Sequence, residues 1–462
     1  MTPDRDCGPA AGARAPGAAD PGTYWVEHAL LPTDDRGTRA ASRVRLTVTD
    51  GRLTRVETSV DPDPADVTWR GVAVPGFANC HSHAFHRALR GRTHADGGTF
   101  WTWREVMYDV ARRLDPDSYY RLARAVYAEM VLAGMTAVGE FHYLHHAPDG
   151  EPYEDANAMG EALRRAARDA GIRLTLLDTC YLHGGLQADG HTPLSEHQLR
   201  FSDGDVDAWV RRHRQLQGDE NTVIGAAIHS VRAVAQGDLA RITEATGDAP
   251  LHAHVSEQPA ENDAARAHYG ATPVGLLDAA GALGECFTAV HATHLSEPDQ
   301  QLLGASRSWA CFCPTTERDL ADGIGPAIAL LDHGARLSLG SDQHAVIDMA
   351  EEARALEMHE RLTSHQRGRL TPAQLLDAAT AHASIGWQDA GRLTEGARAD
   401  VVVIGLSSPR TAGIDPEQVL YAATAADVSE VLVDGRAVVT GGRHHLGDVG
   451  ALLAETIAEL QT

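Results

Sequence analysis

The sequence predicts an α/β protein with a (β/α)8 TIM-barrel fold, accompanied by a small β-sandwich domain that is formed by the two ends of the chain. Three observations lead to this prediction. Eight short apolar runs alternate with helical stretches in the middle of the chain, segments of β texture lie near both ends, and polar side chains follow the apolar runs. A chain of 462 residues is long enough to form one large barrel and an accessory domain around a substantial core.

Segments rich in β-forming residues lie near both ends of the chain. Alternating runs, with turns such as Asp50-Gly51 and Asp434-Gly435, indicate short antiparallel strands that pair into one domain. The Ala-, Pro- and Gly-rich start is typical of a disordered tail. We therefore expect a disordered tail (1–22), a small β-domain (23–74 with 398–462) and a barrel (75–397).

The barrel prediction depends on the apolar runs between these ends. The runs lie at 72–80, 136–141, 174–181, 223–228, 251–255, 287–291, 309–313 and 337–341. Eight strand-helix units of this spacing match a (β/α)8 barrel, in which the chemistry takes place at the carboxyl ends of the strands. The residues that follow each run are therefore the candidates for a functional site.

The composition indicates a globular protein of the cytoplasm that binds neither nucleic acid nor membranes. A formal net charge of -24 repels polyanions and anionic lipid surfaces. No apolar run approaches the roughly 20 residues that a membrane-spanning helix needs, and the first residues lack the apolar stretch of a signal peptide. Six scattered cysteines fit neither a disulfide framework nor a structural zinc pattern, so we expect buried thiols.

All 40 basic residues are arginine, and the chain contains no lysine. This excludes Schiff-base catalysis, a nucleotide-binding P-loop lysine and a carbamylated lysine that bridges two metal ions. Codon bias is a sufficient cause for the missing lysine. The chemical exclusion holds whatever the cause.

Histidines and a carboxylate stand where four of the predicted strands end. His81 and His83 are two residues apart, so on a strand both imidazoles point to the same face and can bind one metal ion. Strand five supplies His254, strand six ends in His291, and strand eight leads to Asp342. A chance His-x-His pair is expected among 25 histidines, but this order of residues at strand ends one, five, six and eight is far more specific.

These motifs, in this order, resemble the metal-dependent amidohydrolase superfamily over residues 40–440. Members with two metals commonly bridge them with a carbamylated lysine from strand four, where this chain has the segment 229–232 instead. The resemblance therefore implies the single-metal, deaminase-like branch. Its implied ligands are His81, His83, His254 and Asp342, with water completing the site. Three nitrogen ligands and one oxygen ligand suit one zinc ion per chain, with iron or manganese as alternatives.

The mechanism implied by this site is hydrolysis at a C=N bond. A zinc ion would supply activated water for attack on the imine carbon. His291 is the candidate for taking the proton of that water, and Glu257 is the candidate for protonating the departing nitrogen. His252, His294 and His344 are interpreted as packing or supporting residues.

Further segments narrow the resemblance to formimidoylglutamate deiminases, whose substrate loses ammonia to become formylglutamate. The segments are HSHAF (81–85), FWTWR (100–104), GEFHYLHH (139–146), HSVR (229–232) and CPTTE (313–317). The resemblance implies Arg104, Tyr143, His229 and Arg232 as substrate-binding residues, and two guanidinium groups suit a dicarboxylate. Where the family often has glutamine, three residues after the second ligand, this chain has His86, a further candidate near the formimino group.

Two other interpretations stay open at this point. One is another single-metal deaminase that acts on a purine, pyrimidine or guanidino compound, although a flat base would favour stacking aromatics and amides over two arginines. The other is a metal-free structural or binding relative. We expect a small anionic substrate as the partner and a homodimer as the assembly.

Overall fold

The computed structural model describes residues 22–33, 37–94 and 100–461, so nearly all of the predicted tail lies outside the described residues. The described residues form the strands β1 (Gly22–Pro32), β2 (Thr38–Thr49), β3 (Arg52–Glu57), β4 (Val67–Pro75), β5 (Phe77–Ser82), β6 (Met135–His142), β7 (Arg173–Cys180), β8 (Gly185–Gln187), β9 (Gly190–Thr192), β10 (Thr222–Ile228), β11 (Leu251–Val255), β12 (Phe287–His291), β13 (Trp309–Phe312), β14 (Arg336–Leu339), β15 (Val401–Ile404), β16 (Val428–Val433), β17 (Arg436–Thr440) and β18 (Arg443–His444).

Helices alternate with the strands of the central region. They are α1 (Phe100–Arg112), α2 (Pro116–Leu132), α3 (Ala158–Ala170), α4 (Val206–His213), α5 (Gln236–Thr246), α6 (Pro259–Tyr269), α7 (Pro273–Ala279), α8 (Glu297–Ala305), α9 (Pro314–Asp319), α10 (Ala327–His333), α11 (Met349–Ser364), α12 (Pro372–Ala379), α13 (Val419–Ala422) and α14 (Val449–Glu459). Among the described residues, no helix is long and apolar enough to cross a membrane.

Helix α2 shows how the local sequence sets these boundaries. Asp115 precedes the helix in an extended conformation and accepts a hydrogen bond from the Ser118 amide at 2.7 Å, while Pro116 occupies the first helical position. The helix buries an apolar face that includes Leu122 and Val126. It ends before Gly134, whose positive φ of 87° turns the chain into β6.

Eight parallel strands, β5 to β7 and β10 to β14, form the barrel, and they are hydrogen-bonded to one another in chain order. The ring closes between β5 and the segment after β14, where Ser82 and Asp342 form a parallel bridge. There the Asp342 amide donates to the His81 carbonyl at 3.0 Å. The barrel predicted from the sequence is confirmed, and each predicted apolar run overlaps one of its strands.

The first predicted run, 72–80, differs from the structure because it spans two strands. Strand β4 ends at Pro75 in the sheet of the chain ends, and β5 begins at Phe77 in the barrel. Gly76 lies between them against β6, where an added Cβ would lie 2.2 Å from Thr136 Oγ1. The apolar character is continuous because both strands are buried, so the change of sheet leaves no mark in the hydrophobic pattern.

The two chain ends form one eight-stranded sheet in the order β18-β17-β16-β15-β4-β1-β2-β3, so their predicted pairing is confirmed. The sheet curls until β3 meets the segment before β15, where the Leu53 amide donates to the Ala397 carbonyl at 2.9 Å. Its enclosed core includes Val26, Leu46 and Val401, all essentially fully buried. After the last strand, α14 packs against α2 of the barrel.

Candidate active site

The predicted site residues lie at the carboxyl ends of the barrel strands. His81 lies within β5, His254 within β11 and His291 at the end of β12, while Asp342 follows β14. Gly340 permits this meeting, because a Cβ at that position would lie 2.7 Å from His81 Cβ. The close approach of the two strand ends places Asp342 beside the His-x-His motif.

The four predicted metal ligands lie next to one another in the barrel mouth. Asp342 Oδ1 lies 3.3 Å from His81 Nε2 and 3.4 Å from His83 Nε2. His254 Nε2 lies 3.2 Å from His81 Nε2. All four side chains are nearly inaccessible to solvent. The donor atoms of His81, His83 and Asp342 lie within 4.8 Å of one another, and so do those of His81, His254 and His291, so His81 joins two overlapping groups that could each hold a metal ion.

The donor set fits a divalent metal ion. The Nδ1 atoms of His83 and His254 donate to the carbonyls of Phe141 and His229, at 2.9 and 2.8 Å, so each Nε2 is unprotonated. Burial lowers the pKa of His83 to about 3 and holds the pKa values of His81 and His254 well below the ordinary value. Neutral imidazoles whose lone pairs face one another beside a carboxylate are an arrangement that a cation stabilises.

His291 lies on the next side of this cluster, within a group of carboxylates. Its Nε2 lies 3.9 Å from Glu257 Oε1 and 4.0 Å from Asp342 Oδ2, and its Nδ1 lies 3.5 Å from Glu317 Oε1. Burial disfavours the charged ring, but Glu257, Glu317 and Asp342 raise the pKa of His291 to about 10. A cation held by the neighbouring ligands would oppose a positive charge on this ring, so the carboxylates and a bound metal ion act on the pKa of His291 in opposite directions.

Backbone strain marks the same edge of the barrel. Ser256, His291 and Asp342 have positive φ values of 52°, 64° and 42°, in the left-handed region that side chains with a Cβ rarely adopt. Ser256 follows β11, His291 is the last residue of β12, and Asp342 follows β14, so all three lie at the edge of the barrel mouth. Such strain is typical of functional sites, where the surrounding structure fixes an unfavourable conformation.

A cavity of about 480 Å³ opens above the cluster. All the predicted catalytic, metal-binding and substrate-binding residues line it except His81, which lies beneath. Helix α1 and the β8–β9 hairpin contribute other parts of the wall. The volume suits a small-molecule substrate.

The predicted substrate-binding residues occupy the wall away from the cluster. Arg104 lies on α1, with its guanidinium near the Tyr108 ring and 3.5 Å from the Gly184 carbonyl. His86 Nε2 and the Tyr143 hydroxyl are 3.1 Å apart. Burial, together with Arg232, holds the pKa of His229 well below the ordinary value. This wall therefore offers neutral hydrogen-bonding rings and a cationic group.

Arg232 is paired with carboxylates of the protein. Its Nη2 donates to Glu257 Oε2 at 3.0 Å, and its Nε lies 3.5 Å from Glu261 Oε2. Burial disfavours its charge, but Glu261 and Glu257 raise the pKa of Arg232 above its ordinary value. The sequence predicted Arg232 as a substrate-binding residue, and neither of these contacts was predicted.

Three buried carboxylates of the site are additional to the sequence-based predictions: Glu140, Glu261 and Glu317. Glu140 accepts hydrogen bonds from Ser82 Oγ at 2.7 Å and from the Ala84 amide at 2.6 Å, so it contacts both neighbours of His83. Glu317 Oε1 accepts from the Cys313 amide at 2.8 Å and faces His291. Glu140 and Glu317 stand in segments that carried the family resemblance, and that position was the available signal.

Comparison with known proteins identifies the class to which this fold and site belong. Residues 72–438 match the model of the amidohydrolase family. The chain belongs to this family and is therefore a hydrolase, as the sequence predicted.

Individual relatives specify the resemblance further. Formimidoylglutamate deiminase of Pseudomonas aeruginosa is 37% identical over 440 residues, which are 91% of this chain and 95% of that protein. The resemblance to formimidoylglutamate deiminases is thereby confirmed. The crystal structure of an amidohydrolase from Brucella melitensis has a TM-score of 0.86 at 33% identity and covers 96% of this chain and 100% of that one.

The fold is also shared with a more distant enzyme. The crystal structure of an adenosine deaminase from Xanthomonas campestris, with bound zinc, has a TM-score of 0.78 at 22% identity. It covers 95% of this chain and 97% of that one. At this identity the likeness concerns the fold.

Proposed function

We propose that the protein hydrolyses N-formimidoyl-L-glutamate to N-formyl-L-glutamate and ammonia, as a zinc-dependent enzyme of histidine degradation. One observation carries the proposal: a single cavity joins a cluster that fits a metal ion to two arginine side chains. The substrate combines the two matching features, a C=N carbon for hydrolysis and two carboxylates for guanidinium groups. The 37% sequence identity to the Pseudomonas aeruginosa deiminase supports this choice of substrate.

His81, His83, His254 and Asp342 are the residues that would hold one zinc ion. A zinc ion bound there would activate a water molecule for attack on the formimino carbon. His291 Nε2 would take a proton from that water, since it lies 4.0 Å from Asp342 Oδ2 at the edge of the cluster.

Glu257 would deliver the proton that the departing nitrogen needs. Its Oε1 faces His291 Nε2 at 3.9 Å, so the acid and the base lie side by side along the same wall. The terminal nitrogen of the protonated formimino group carries two hydrogens and takes a third from Glu257, so the C–N bond breaks and ammonia leaves. As the carbon–oxygen double bond of the formyl group forms, the hydroxyl proton passes to the Glu257 carboxylate.

The remaining wall would orient the substrate. Arg104 and Arg232 bind its carboxylates, and Tyr143, His86 and His229 supply further hydrogen bonds. In a protein with a net charge of -24, a local pair of cations is needed to hold an anion. The proposed assembly is a homodimer in the cytoplasm, and analytical ultracentrifugation checks the dimer.

Ammonia release by the zinc-loaded protein tests the proposal. We expect rapid release from formimidoylglutamate and little from adenosine, a pyrimidine nucleoside or a guanidino acid at the same concentration. The Glu257→Gln variant is the matched control for contaminating activity. Preference for a purine, pyrimidine or guanidino compound would contradict the proposed substrate and support another deaminase.

A further inference from the structure

The two arginines of the cavity stand in different electrostatic surroundings. Arg104 lies against the Tyr108 ring and near the Gly184 carbonyl. Arg232 forms ion pairs with Glu257 and Glu261, and both carboxylates are almost fully buried. Arg232 therefore has two carboxylate partners within the protein before any substrate binds.

The contact with Glu257 also fixes the direction of that side chain. Arg232 Nη2 donates to Oε2 at 3.0 Å, and the other oxygen, Oε1, faces His291 Nε2 at 3.9 Å. A glutamate side chain has three rotatable bonds, so a proton donor placed this way needs a partner that holds it. Arg232 holds the oxygen that points away from the reacting centre.

Glu261 lies against the same guanidinium and forms an ion pair with it, without a hydrogen bond between the two side chains. It lies in the first turn of α6, four residues after Glu257, and is 2% exposed. Its Oε2 lies 3.5 Å from Arg232 Nε, so the two carboxylates contact different nitrogens of the planar fork. Acidic and basic side chains alternate from the cavity wall towards the predicted metal ligands, in the order Glu261, Arg232, Glu257, His291.

We propose that Arg232 is a positioning residue for Glu257, and that Glu261 sets the orientation of Arg232. This rests on the proposed function, in which Glu257 protonates the leaving nitrogen. Arg232 then acts on the chemical step through Glu257, in addition to any contact with the substrate. Arg104 acts on binding.

Steady-state kinetics of zinc-loaded variants separate the two roles. With formimidoylglutamate, Arg232→Met should lower kcat at saturation by about 100-fold, approaching the effect of losing the general acid. Arg232→Lys should recover only part of this loss, because an ammonium cannot contact both carboxylates as the planar fork does. The matched control, Arg104→Met, should raise KM while changing kcat less than about threefold.

A second variant keeps the test decisive if Arg232→Met binds substrate too weakly to be saturated. Glu261→Gln should lower kcat by roughly fivefold to tenfold with KM within about twofold of the wild type, because the guanidinium loses the charge of one of its two carboxylate partners. Zinc content should match the wild type in each variant, which shows that the metal ligands are intact. Arg232→Met should lower the melting temperature, because it leaves Glu257 and Glu261 buried without their cation, so its kinetics are measured well below that temperature.

The outcomes distinguish this inference from the proposed function. Wild-type protein that releases no ammonia from formimidoylglutamate would refute the function itself. If the wild type is active but Arg232→Met or Glu261→Gln changes only KM, as Arg104→Met does, the positioning role is overturned. The proposed function would still stand.

Discussion

At the scale of single residues, His81 and His83 both present their Nε2 atoms to Asp342, and the Nε2 atom of His254 faces that of His81. For His83 and His254 this orientation is set by backbone carbonyls near the ends of β6 and β10, which accept from Nδ1. The positions of the ligands follow from the strand-end rule and could be predicted from the sequence. The orientation of their rings could not, because it depends on which carbonyls the register of the neighbouring strands places beside them.

Replacement of Glu257 by Gln tests its proposed proton transfer. Gln can still accept the hydrogen bond from Arg232 Nη2, so the side chain should stay in place while losing its transferable proton. We expect kcat for formimidoylglutamate to fall about 100-fold or more, with metal content and substrate binding retained. Near-normal turnover would show that another residue protonates the leaving nitrogen.

Metal analysis of His254→Ala tests the ligand set. We expect one tightly bound divalent ion per wild-type chain, and loss of metal and activity together in the variant, because three remaining ligands bind more weakly. His252→Gln is the matched control from the same strand, since His252 Nε2 contacts the Ser384 carbonyl at 3.0 Å and not the cluster. Two ions per wild-type chain, both needed for activity, would refute the single-metal site.

At the scale of elements, the barrel strands were predictable because each is a short and mostly buried apolar run, and several are fully buried. The pairing of Arg232 with Glu257 and Glu261 was not predictable. Glu257 and Glu261 are 25 and 29 positions from Arg232 in the chain, in the segment after a different strand, and nothing in the local sequence pattern indicates the contact. The break between β4 and β5 was missed because both strands are apolar.

Helix α1 shows how an element outside the barrel contributes to the cavity. Arg104 and the neighbouring Tyr108 lie on this helix. Just beyond its carboxyl end, buried Arg200 Nη2 donates to the Leu114 carbonyl at 3.0 Å and to the His146 carbonyl at 2.9 Å. These bonds tie the end of the helix to the loop after β6, so Arg104 is presented from a supported position.

The Arg104→Met variant tests whether α1 provides the selectivity for a dicarboxylate. We expect kcat/KM for formimidoylglutamate to fall by the equivalent of about 2 to 4 kcal/mol, as when one partner of a buried charge pair is removed. Arg104→Lys should recover only part of it, because a point charge replaces a planar fork. Activity towards an N-alkyl formamidine, which lacks carboxylates, should change little. An equal loss of activity with both compounds would mean that Arg104 supports the predicted metal ligands instead.

At the scale of the whole molecule, a buried ion pair joins the barrel to the sheet of the chain ends. Arg173 at the start of β7 donates through Nη1 to Asp400 Oδ1 at 2.8 Å and to Asp434 Oδ1 at 3.1 Å. Asp400 immediately precedes β15 and also accepts from the Asp434 amide at 3.0 Å. The sheet of the chain ends is therefore joined to the barrel end opposite the active site by the ion pair of Arg173 with Asp400, and both of these side chains are shielded from water.

Replacement of Asp400 by Asn tests how much this contact stabilises the molecule. Removing one partner of a buried pair leaves the other charge poorly compensated, so the free energy of unfolding at pH 7 should fall by about 3 kcal/mol. Asp61→Asn is the control, because its pair with Arg43 at 2.8 Å is solvent-exposed and should contribute less than about 1 kcal/mol. Chemical denaturation of both variants against the wild type provides the measurement.

The pH dependence of the stability difference between the wild type and Asp400→Asn tests whether this difference is electrostatic. Burial alone would raise the pKa of Asp400, but Arg173 lowers it below the ordinary value. A carboxyl whose pKa is lower in the folded than in the unfolded state stabilises the fold fully above the unfolded value of about 3.9 and loses that contribution as the pH falls through the folded value. The gap between wild type and Asp400→Asn should therefore be constant from pH 8 to about pH 5 and narrow below about pH 4. A gap that stays the same across this range would show that Asp400 stabilises the molecule by packing and neutral hydrogen bonds, and that its charge contributes nothing.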